Sequence, residues 1–191
     1  MTELKLGSHD TMTYLPLKKW YLYPFKFMAQ CQSKSIQEQY EKYGIKYFDL
    51  RVRFNEDDAQ PEFAHGLMTF KGNVWKVLDY LNSLGEEIWV RLLLEITKED
   101  KRQENWFYAF CQAIEEKYTN LKFHNGRRKY DWKKVYNFQN DEPVIDQKVS
   151  SMTWKIWDDW CPYIYARLMN HKNIQKGTDK DYLVLDFLHI Q

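Results

Sequence analysis

The chain has few cysteines, almost no net charge and no long apolar segment. Cys31, Cys111 and Cys161 show no zinc-type spacing, so we expect buried apolar residues rather than disulfides or a structural metal site. The net charge of +1 gives no field that attracts nucleic acid, and no nucleic-acid partner is expected. Since the N-terminus lacks a signal region and charges interrupt the densest apolar run, 88–96, cytoplasmic location is the default expectation, with export by an unrecognised route as the alternative.

Common nucleotide-binding and serine-hydrolase motifs are also absent. The sequence contains no G-x-G-x-x-G fingerprint, no Walker A motif and no G-x-S-x-G segment. Their absence removes the commonest nucleotide-binding and serine-nucleophile classes. The length of 191 residues predicts one domain that covers residues 1–191.

Local signals predict three helices. Ser35 and Glu38 form a capping box before the first helix, and Gly44 is placed to end it. Asn73 precedes the second helical pattern and Gly85 follows it. The third segment repeats apolar residues at helical spacing. The predicted helices cover residues 36–43, 74–84 and 104–118.

Alternating side chains predict three strands, over residues 45–54, 88–96 and 182–188. A short strand over 4–6 precedes them, followed by an irregular connection that ends near Ser33. Charges on alternate positions fit either a half-exposed strand or a closed barrel, whose active site gathers at the C-terminal strand ends. Because strands and helices alternate, we predict an α/β fold with a compact or reduced TIM-type (β/α) barrel, since the chain is shorter than the usual ~200 to 400 residues.

The segment 125–153 is less regular than the rest of the chain. We interpret its five basic residues as a solvated face rather than a phosphate-binding site. They are Arg127, Arg128, Lys129, Lys133 and Lys134.

Two histidines and an arginine point to phosphodiester cleavage. An internal hydroxyl that attacks phosphorus needs a base, the leaving alkoxide needs an acid, and the phosphoryl oxygens need positive charge. His9 and His65 suit the two proton transfers, and Arg51 suits the charge. A neighbouring carboxylate can fix the tautomer of a histidine, and the candidates are Asp10, Asp49 and Asp186.

Three blocks resemble the phosphatidylinositol-specific phospholipase C X-domain superfamily, particularly its metal-independent bacterial branch. Residues 7–13, Gly-Ser-His-Asp-Thr-Met-Thr, are similar to the family's opening motif. Residues 43–51, Tyr-Gly-Ile-Lys-Tyr-Phe-Asp-Leu-Arg, resemble its second block, and residues 63–66, Phe-Ala-His-Gly, resemble its short strand ending in His-Gly. The resemblance covers roughly residues 4–96 and a short piece at the C-terminal end.

The resemblance implies a role for each site residue. His9 would be the general base, His65 the general acid and Arg51 the phosphate ligand that replaces the calcium of eukaryotic relatives. Asp10 and Asp49 would be supporting carboxylates. Asp186, at the end of a late strand, would orient His9, and Asp10 competes with it for that role.

A calcium site is the minority alternative to metal independence. Glu95 stands where calcium-dependent relatives carry an acidic ligand, and with Asp10 and Asp49 it would make a hard oxygen site. Arg51 argues against this alternative because its guanidinium would compete with a divalent ion. We therefore expect no cofactor.

Aromatic residues make up 17% of the chain, and several follow the first motif. Trp20, Tyr21, Tyr23 and Phe25 lie beside the predicted site. Such side chains fit either a protein core or a membrane interface, and in the resembling family this region touches the membrane surface. Peripheral membrane contact and core packing are both retained.

The predicted activity is cleavage of a phospholipid or inositol phosphodiester by a hydrolase or lyase of the phospholipase C type. Within the same class, a glycerophosphodiester or a sphingolipid is the alternative substrate. Outside it, the chain would be a non-catalytic lipid-binding or assembly module on the same fold.

Overall fold

The computed structural model describes residues 4–125, 135–150 and 161–190, which form an α/β fold. These residues contain four α-helices, α1 (Ile36–Tyr43), α2 (Val74–Ser83), α3 (Lys101–Lys117) and α4 (Pro162–Lys176). The described part of the chain contains eight strands, β1 (Leu6–Ser8), β2 (Tyr47–Phe54), β3 (Pro61–His65), β4 (Met68–Thr69), β5 (Ile88–Leu94), β6 (Leu121–His124), β7 (Ile145–Lys148) and β8 (Tyr182–Leu185). Within these ranges, no helix has the length and apolarity needed to cross a membrane.

Six strands lie parallel in the order β6-β5-β2-β1-β8-β7. A hairpin, β3 and β4, adds antiparallel pairing to the C-terminal half of β2. The prediction of a barrel-type α/β architecture is confirmed, although β6 and β7 do not pair with each other among the described residues. The antiparallel hairpin departs from the all-parallel sheet of a TIM-type barrel, because the turn after β2 reverses the chain, whereas a parallel strand would need a helical crossover.

The sheet is strongly curved. In a flat sheet, β5 and β7 would lie about 19 Å apart, since they are four positions apart at ~4.8 Å per strand. Arg91 of β5 nevertheless donates a 3.2 Å hydrogen bond to Gln147 of β7. Rings from β2 and β8 also meet inside the curve, with the Tyr47 and Tyr182 centroids 5.1 Å apart. The concave side therefore forms an interior, as in a barrel.

Both faces of β2 are buried. Phe48, Leu50 and Val52 join the main apolar core, while Asp49 lies on the concave side with no exposed surface. A half-exposed strand is therefore the wrong interpretation of the charged face. Gly7 leaves room for this packing, because a Cβ there would meet the Tyr47 ring at 2.8 Å.

The capping signals were accurate for α1 and α2. Ser35 and Glu38 form the capping box, and Gly44 ends the helix with a positive φ of 64°. Asn73 caps α2 through its side chain. The third helix starts three residues earlier than predicted, because the Asp100 side chain accepts hydrogen bonds from the first-turn backbone.

Other boundaries needed correction. The first strand covers 6–8 rather than 4–6, since its pairing follows the register of β2 and β8. The connection called irregular contains two 3-10 helices, Thr11–Tyr14 and Trp20–Met28. The strands β4, β6 and β7 and the helix α4 were not predicted. The basic residues 127–129, 133 and 134 lie outside the described ranges.

Candidate active site

The six predicted catalytic residues form one contact network beside the C-terminal ends of β1 and β8, with Asp49 and Arg51 inside β2. His9 follows β1, Asp186 follows β8, and His65 ends β3. Polar contacts of 2.6 to 3.4 Å join neighbouring members of the network. Its members are His9, Asp10, Asp49, Arg51, His65 and Asp186.

Two groups hold the His9 ring from opposite sides. Its Nδ1 lies 2.7 Å from Asp186 Oδ1, and its Nε2 lies 2.6 Å from Arg51 Nη2. Ser150 N–H donates to the other oxygen of Asp186 at 3.0 Å, which fixes that carboxylate. Asp10 is 3.6 Å from His9 Nε2. Asp186 is therefore the group in position to orient His9.

The charges around His9 favour its protonated form. Burial by itself would lower the pKa of this imidazole, but the carboxylates of Asp186 and Asp10 outweigh burial and the opposing charge of Arg51. The pKa of His9 is consequently raised above its ordinary value.

A backbone reversal brings two consecutive side chains into the site. Successive residues of a strand normally point to opposite faces, yet His9 and Asp10 both contact Arg51. Asp10 has a left-handed backbone, with φ 43° and ψ 52°, which aspartate tolerates better than most residues. Thr13 stabilises the turn, because its hydroxyl donates to Asp10 O at 2.8 Å.

Arg51 lies among three carboxylates. Its Nε is 2.8 Å from Asp10 Oδ1, its Nη2 is 3.1 Å from Asp49 Oδ2, and its Nη1 is 3.5 Å from Glu95 Oε2. Burial opposes the charged guanidinium, but these carboxylates raise the pKa of Arg51 well above its ordinary value. The three acidic residues considered as a calcium site thus surround a guanidinium.

His65 reaches the network from the hairpin. Its Nδ1 lies 2.8 Å from Ala29 O and its Nε2 lies 3.4 Å from Asp10 Oδ2. One fifth of its side chain is exposed, against 6% for His9. Gly66 N–H donates to Glu95 Oε1 at 3.4 Å, which ties the hairpin turn to β5. His65 is therefore the more accessible of the two histidines.

Gln32 is a supporting residue that sequence reasoning missed. Its side-chain amide donates to His9 O at 3.2 Å and to Leu185 O at 2.9 Å, and its Oε1 accepts from Leu188 N–H at 3.3 Å. These bonds connect the ends of β1 and β8, which carry His9 and Asp186. No local pattern marks this glutamine, because its partners are distant in sequence.

Cys31 also belongs to the site region. Its side chain is buried, as predicted, but Sγ lies 3.9 Å from Asp10 Oδ2 and 4.0 Å from His65 Nδ1. Burial and nearby carboxylates raise the pKa of its thiol well above the ordinary value. The prediction of a buried residue also holds for Cys111, whereas Cys161 is only half-buried.

The aromatic segment Trp20–Met28 contributes no buried residue to the core. The exposed fractions are 80% for Trp20, 54% for Tyr21, 45% for Tyr23 and 54% for Phe25. Core packing is therefore the wrong interpretation of these four side chains. They form an exposed aromatic surface on the connection between β1 and α1.

The comparisons with known proteins identify the fold. No protein-family model matches the chain, and no curated protein sequence does. The structure matches phosphatidylinositol-specific phospholipase C from Listeria monocytogenes with a TM-score of 0.60 and 18% identity, covering 96% of this chain and 88% of that one. A double mutant of the S. aureus phosphatidylinositol-specific phospholipase C matches with a TM-score of 0.59 and 16% identity, covering 97% and 86%. The chain thus has the fold of these bacterial phospholipases C.

Proposed function

We propose that the chain is a phosphodiesterase of the phosphatidylinositol-specific phospholipase C type. The observation that carries the proposal is the position of His9, with Asp186 on Nδ1 at 2.7 Å and Arg51 on Nε2 at 2.6 Å. A carboxylate–histidine pair beside a fixed positive charge is what base-assisted attack on phosphorus requires. His65, in the same network, supplies the second proton-transfer group.

The reaction is an internal transfer. His9 Nε2 takes the proton of the inositol 2-hydroxyl, whose oxygen attacks phosphorus. The bond from phosphorus to the diacylglycerol oxygen breaks, and protonated His65 gives its proton to that oxygen. The products are a cyclic inositol phosphate and diacylglycerol. Because His9 Nδ1–H donates to Asp186, the lone pair of a neutral His9 lies on Nε2 and faces Arg51.

Arg51 stabilises the charge that develops on the phosphoryl oxygens. Its guanidinium already lies beside His9 Nε2, where the reacting phosphate must come. Asp10, Asp49 and Glu95 hold the guanidinium in place. Since these are the carboxylates that calcium would need, we propose catalysis without a metal ion.

The exposed aromatic segment is proposed to contact the lipid surface. Trp and Tyr side chains are suited to the boundary between water and lipid. Trp20 and Phe25 are both more than half exposed, and the segment connects the strand that carries His9 to α1.

The function is tested by cleavage assays on a panel of head groups in the presence of a chelator. Vesicles of phosphatidylinositol, phosphatidylcholine and sphingomyelin are compared with a soluble glycerophosphodiester. We expect phosphatidylinositol to be cleaved and the rate to fall about 10²- to 10⁴-fold in His9→Ala and in His65→Ala, since each removes one proton transfer. The exposed His171 provides a matched control, and His171→Ala should keep the wild-type rate.

Near-normal cleavage by either His9→Ala or His65→Ala would contradict the mechanism. If another head group is cleaved faster, that lipid replaces phosphatidylinositol as the proposed substrate. Loss of activity in chelator, with recovery on adding Ca²⁺, would overturn metal independence. Vesicle binding without turnover of any diester would favour a non-catalytic lipid-binding module.

Membrane contact is tested by sedimentation with anionic vesicles. Replacing both Trp20 and Phe25 by alanine should weaken vesicle binding at least tenfold and leave the unfolding midpoint unchanged, because both side chains are exposed. Leu168→Ala removes an equally exposed apolar side chain from α4 and should not affect binding. Unchanged binding by the double variant would refute this role.

A further inference from the structure

Three side chains that can bind a metal ion, a carboxylate, a thiol and an imidazole, meet within the proposed catalytic site. One ligand atom from each of Asp10, Cys31 and His65 lies within 4.8 Å of the other two. Asp10 Oδ2 is 3.4 Å from His65 Nε2 and 3.9 Å from Cys31 Sγ. Ligand atoms around a tetrahedral Zn²⁺ are separated by about 3.3 to 3.8 Å, given bonds of ~2.0 to 2.3 Å. Two of the three separations are thus close to those around a metal ion, and the third pair, Cys31 Sγ and the His65 ring, is 4.0 Å apart at Nδ1.

The two oxygens of Asp10 have separate environments. Oδ1 lies 2.8 Å from Arg51 Nε, whereas Oδ2 faces Cys31 and His65 and also lies 3.6 Å from His9 Nε2. Arg51 also contacts Asp49 and Glu95, which neutralise it. A cation on the Oδ2 side would therefore leave the Arg51 ion pairs intact.

The surroundings of His65 favour the tautomer that a metal needs. When neutral, its ring can donate Nδ1–H to Ala29 O, 2.8 Å away, which leaves the Nε2 lone pair on the side of Asp10. Metal-binding histidines usually make such a hydrogen bond through the second nitrogen. A fifth of the His65 side chain is exposed, which provides an entry for an ion.

A second combination around the same thiol fits less well. His9, Cys31 and Asp186 also lie within 4.8 Å of one another. The Nδ1 of His9 and Oδ1 of Asp186 already share a contact of 2.7 Å, however, and a metal would have to break it. In the set of Asp10, Cys31 and His65, a metal ion would not have to break a short hydrogen bond between two of its ligands.

We propose that Cys31 Sγ, Asp10 Oδ2 and His65 Nε2 bind a soft divalent cation, of which Zn²⁺ is the natural example. The thiol releases its proton to solvent when the metal binds, so thiolate and carboxylate together balance the two positive charges. Water takes the fourth position. Thiolate ligation selects Zn²⁺ over Mg²⁺ and Ca²⁺, which prefer oxygen ligands.

Bound metal would inhibit the proposed reaction. It occupies the His65 nitrogen that would donate the proton to the leaving oxygen. This consequence rests on the proposed function, whereas metal binding itself does not.

The site is tested first by binding, with chelator-treated protein and Co²⁺ as the spectroscopic probe. Thiolate ligation should give a near-ultraviolet charge-transfer band, and tetrahedral coordination should give visible bands. Both signals should disappear in Cys31→Ser and persist in Cys161→Ser, which removes a thiol outside the cluster. Zn²⁺ should displace Co²⁺, while Mg²⁺ and Ca²⁺ at the same concentration should not.

A second variant keeps the test independent of the buried cysteine. His65→Asn changes a partly exposed side chain and should weaken Co²⁺ binding at least tenfold. Absence of the thiolate band in the wild type, or its persistence in Cys31→Ser, would overturn the proposal.

Inhibition is measured separately, as diester cleavage against Zn²⁺ concentration, with each variant compared with its own metal-free rate. Wild type and Cys161→Ser should lose at least tenfold in rate at saturating Zn²⁺, and Cys31→Ser should lose its sensitivity. Metal binding without inhibition of an active enzyme would overturn the inhibitory consequence. If no diester is cleaved, the proposed function fails while the Co²⁺ spectra still decide the metal site.

Discussion

Each of two sides of the concave surface has a buried histidine at the end of a parallel strand, and the pKa values of the two histidines are shifted in opposite directions. His9 follows β1, and His124 ends β6. On the first side, Asp186 contacts the ring and raises the pKa of His9. On the second side, burial and the charge of Arg91 outweigh the attraction of Asp49 and lower the pKa of His124 to about 4.

The environment of His124 is mainly aromatic. Its ring centroid lies 5.5 Å from that of Tyr47 and 5.8 Å from that of Trp89. Neither ring nitrogen has a hydrogen-bond partner among the described residues. Burial and a strand-end position are thus shared by both histidines, and a contacting carboxylate is what distinguishes the one suited to proton transfer.

Removing that carboxylate should have the largest effect on activity. Asp186→Asn should reduce kcat for the proposed cleavage about 10²- to 10⁴-fold, because the amide no longer favours the tautomer with a lone pair on Nε2. It should also move the acid limb of the pH profile to lower pH. The reason is that Asp186 raises the pKa of His9, and in the proposed mechanism activity rises as His9 loses its proton.

The measurement is kcat/KM from pH 4.5 to 8.5, compared with Asp179→Asn. Asp179 is an exposed aspartate shortly before β8, so its variant controls for the change in net charge. An unchanged acid limb in Asp186→Asn would show that another group determines it.

Removing the guanidinium should have the largest effect on stability. Arg51→Ala leaves Asp10, Asp49 and Glu95 without the cation that all three contact. Breaking a buried ion pair by deleting one partner costs about 3 to 5 kcal/mol. We expect a loss of this size in the free energy of unfolding, measured by urea denaturation at pH 7.

Arg102→Ala is the matched comparison, because its ion pair with Glu56 is exposed on both sides. Exposed pairs contribute little, so this variant should unfold close to the wild-type midpoint. Equal midpoints for the two variants would mean that, without Arg51, the carboxylates of Asp10, Asp49 and Glu95 are stabilised by water or become protonated.

His124 offers the smallest effect, confined to acid pH. Its pKa is about 4 in the folded protein and ~6.5 when unfolded, so folding favours the neutral ring. This stabilisation is complete above pH 6.5 and is lost as the pH falls towards 4, by about 3 kcal/mol in total. The urea midpoint of His124→Phe minus that of the wild type should therefore be larger at pH 4.5 than at pH 7.5.

The control for this variant is His171→Ala, whose side chain is exposed. It should show no such pH-dependent difference. His124→Phe should also retain diester cleavage, in contrast to His9→Ala. A pH-independent difference in stability would mean that the His124 ring reaches solvent or a partner in the folded protein.

Local patterns predicted the elements whose determinants lie within a few residues. The capping box at Ser35 and Glu38 and the alternation in β2 both formed as expected. The pairing of β2 with β3 was harder to predict, since the chain order of the two strands does not distinguish antiparallel pairing from a parallel crossover. The unpredicted β7 obtains its position from pairing with β8. In this pairing Ile145 lies opposite Tyr182, which is 37 residues further along the chain.

The sequence nominated six residues that the structure brings into one network, but it did not predict their contacts. The sequence nominated both Asp10 and Asp186 as partners of His9, and the structure places Asp186 on Nδ1 across a separation of 177 residues. Cys31 and Gln32 carry no recognisable motif. Their environment arises from the close approach of the connection after β1 to the ends of β1 and β8.

The sequence alone determined the helix caps, the alternating strands and the set of histidines, carboxylates and arginine, because each depends on residue type and short-range spacing. The tertiary structure decided which carboxylate holds His9, that three acidic groups surround Arg51, and that the aromatic segment is exposed. It also brought a thiol next to Asp10 and His65. These outcomes depend on strand order and sheet curvature, which bring together atoms that no local pattern relates.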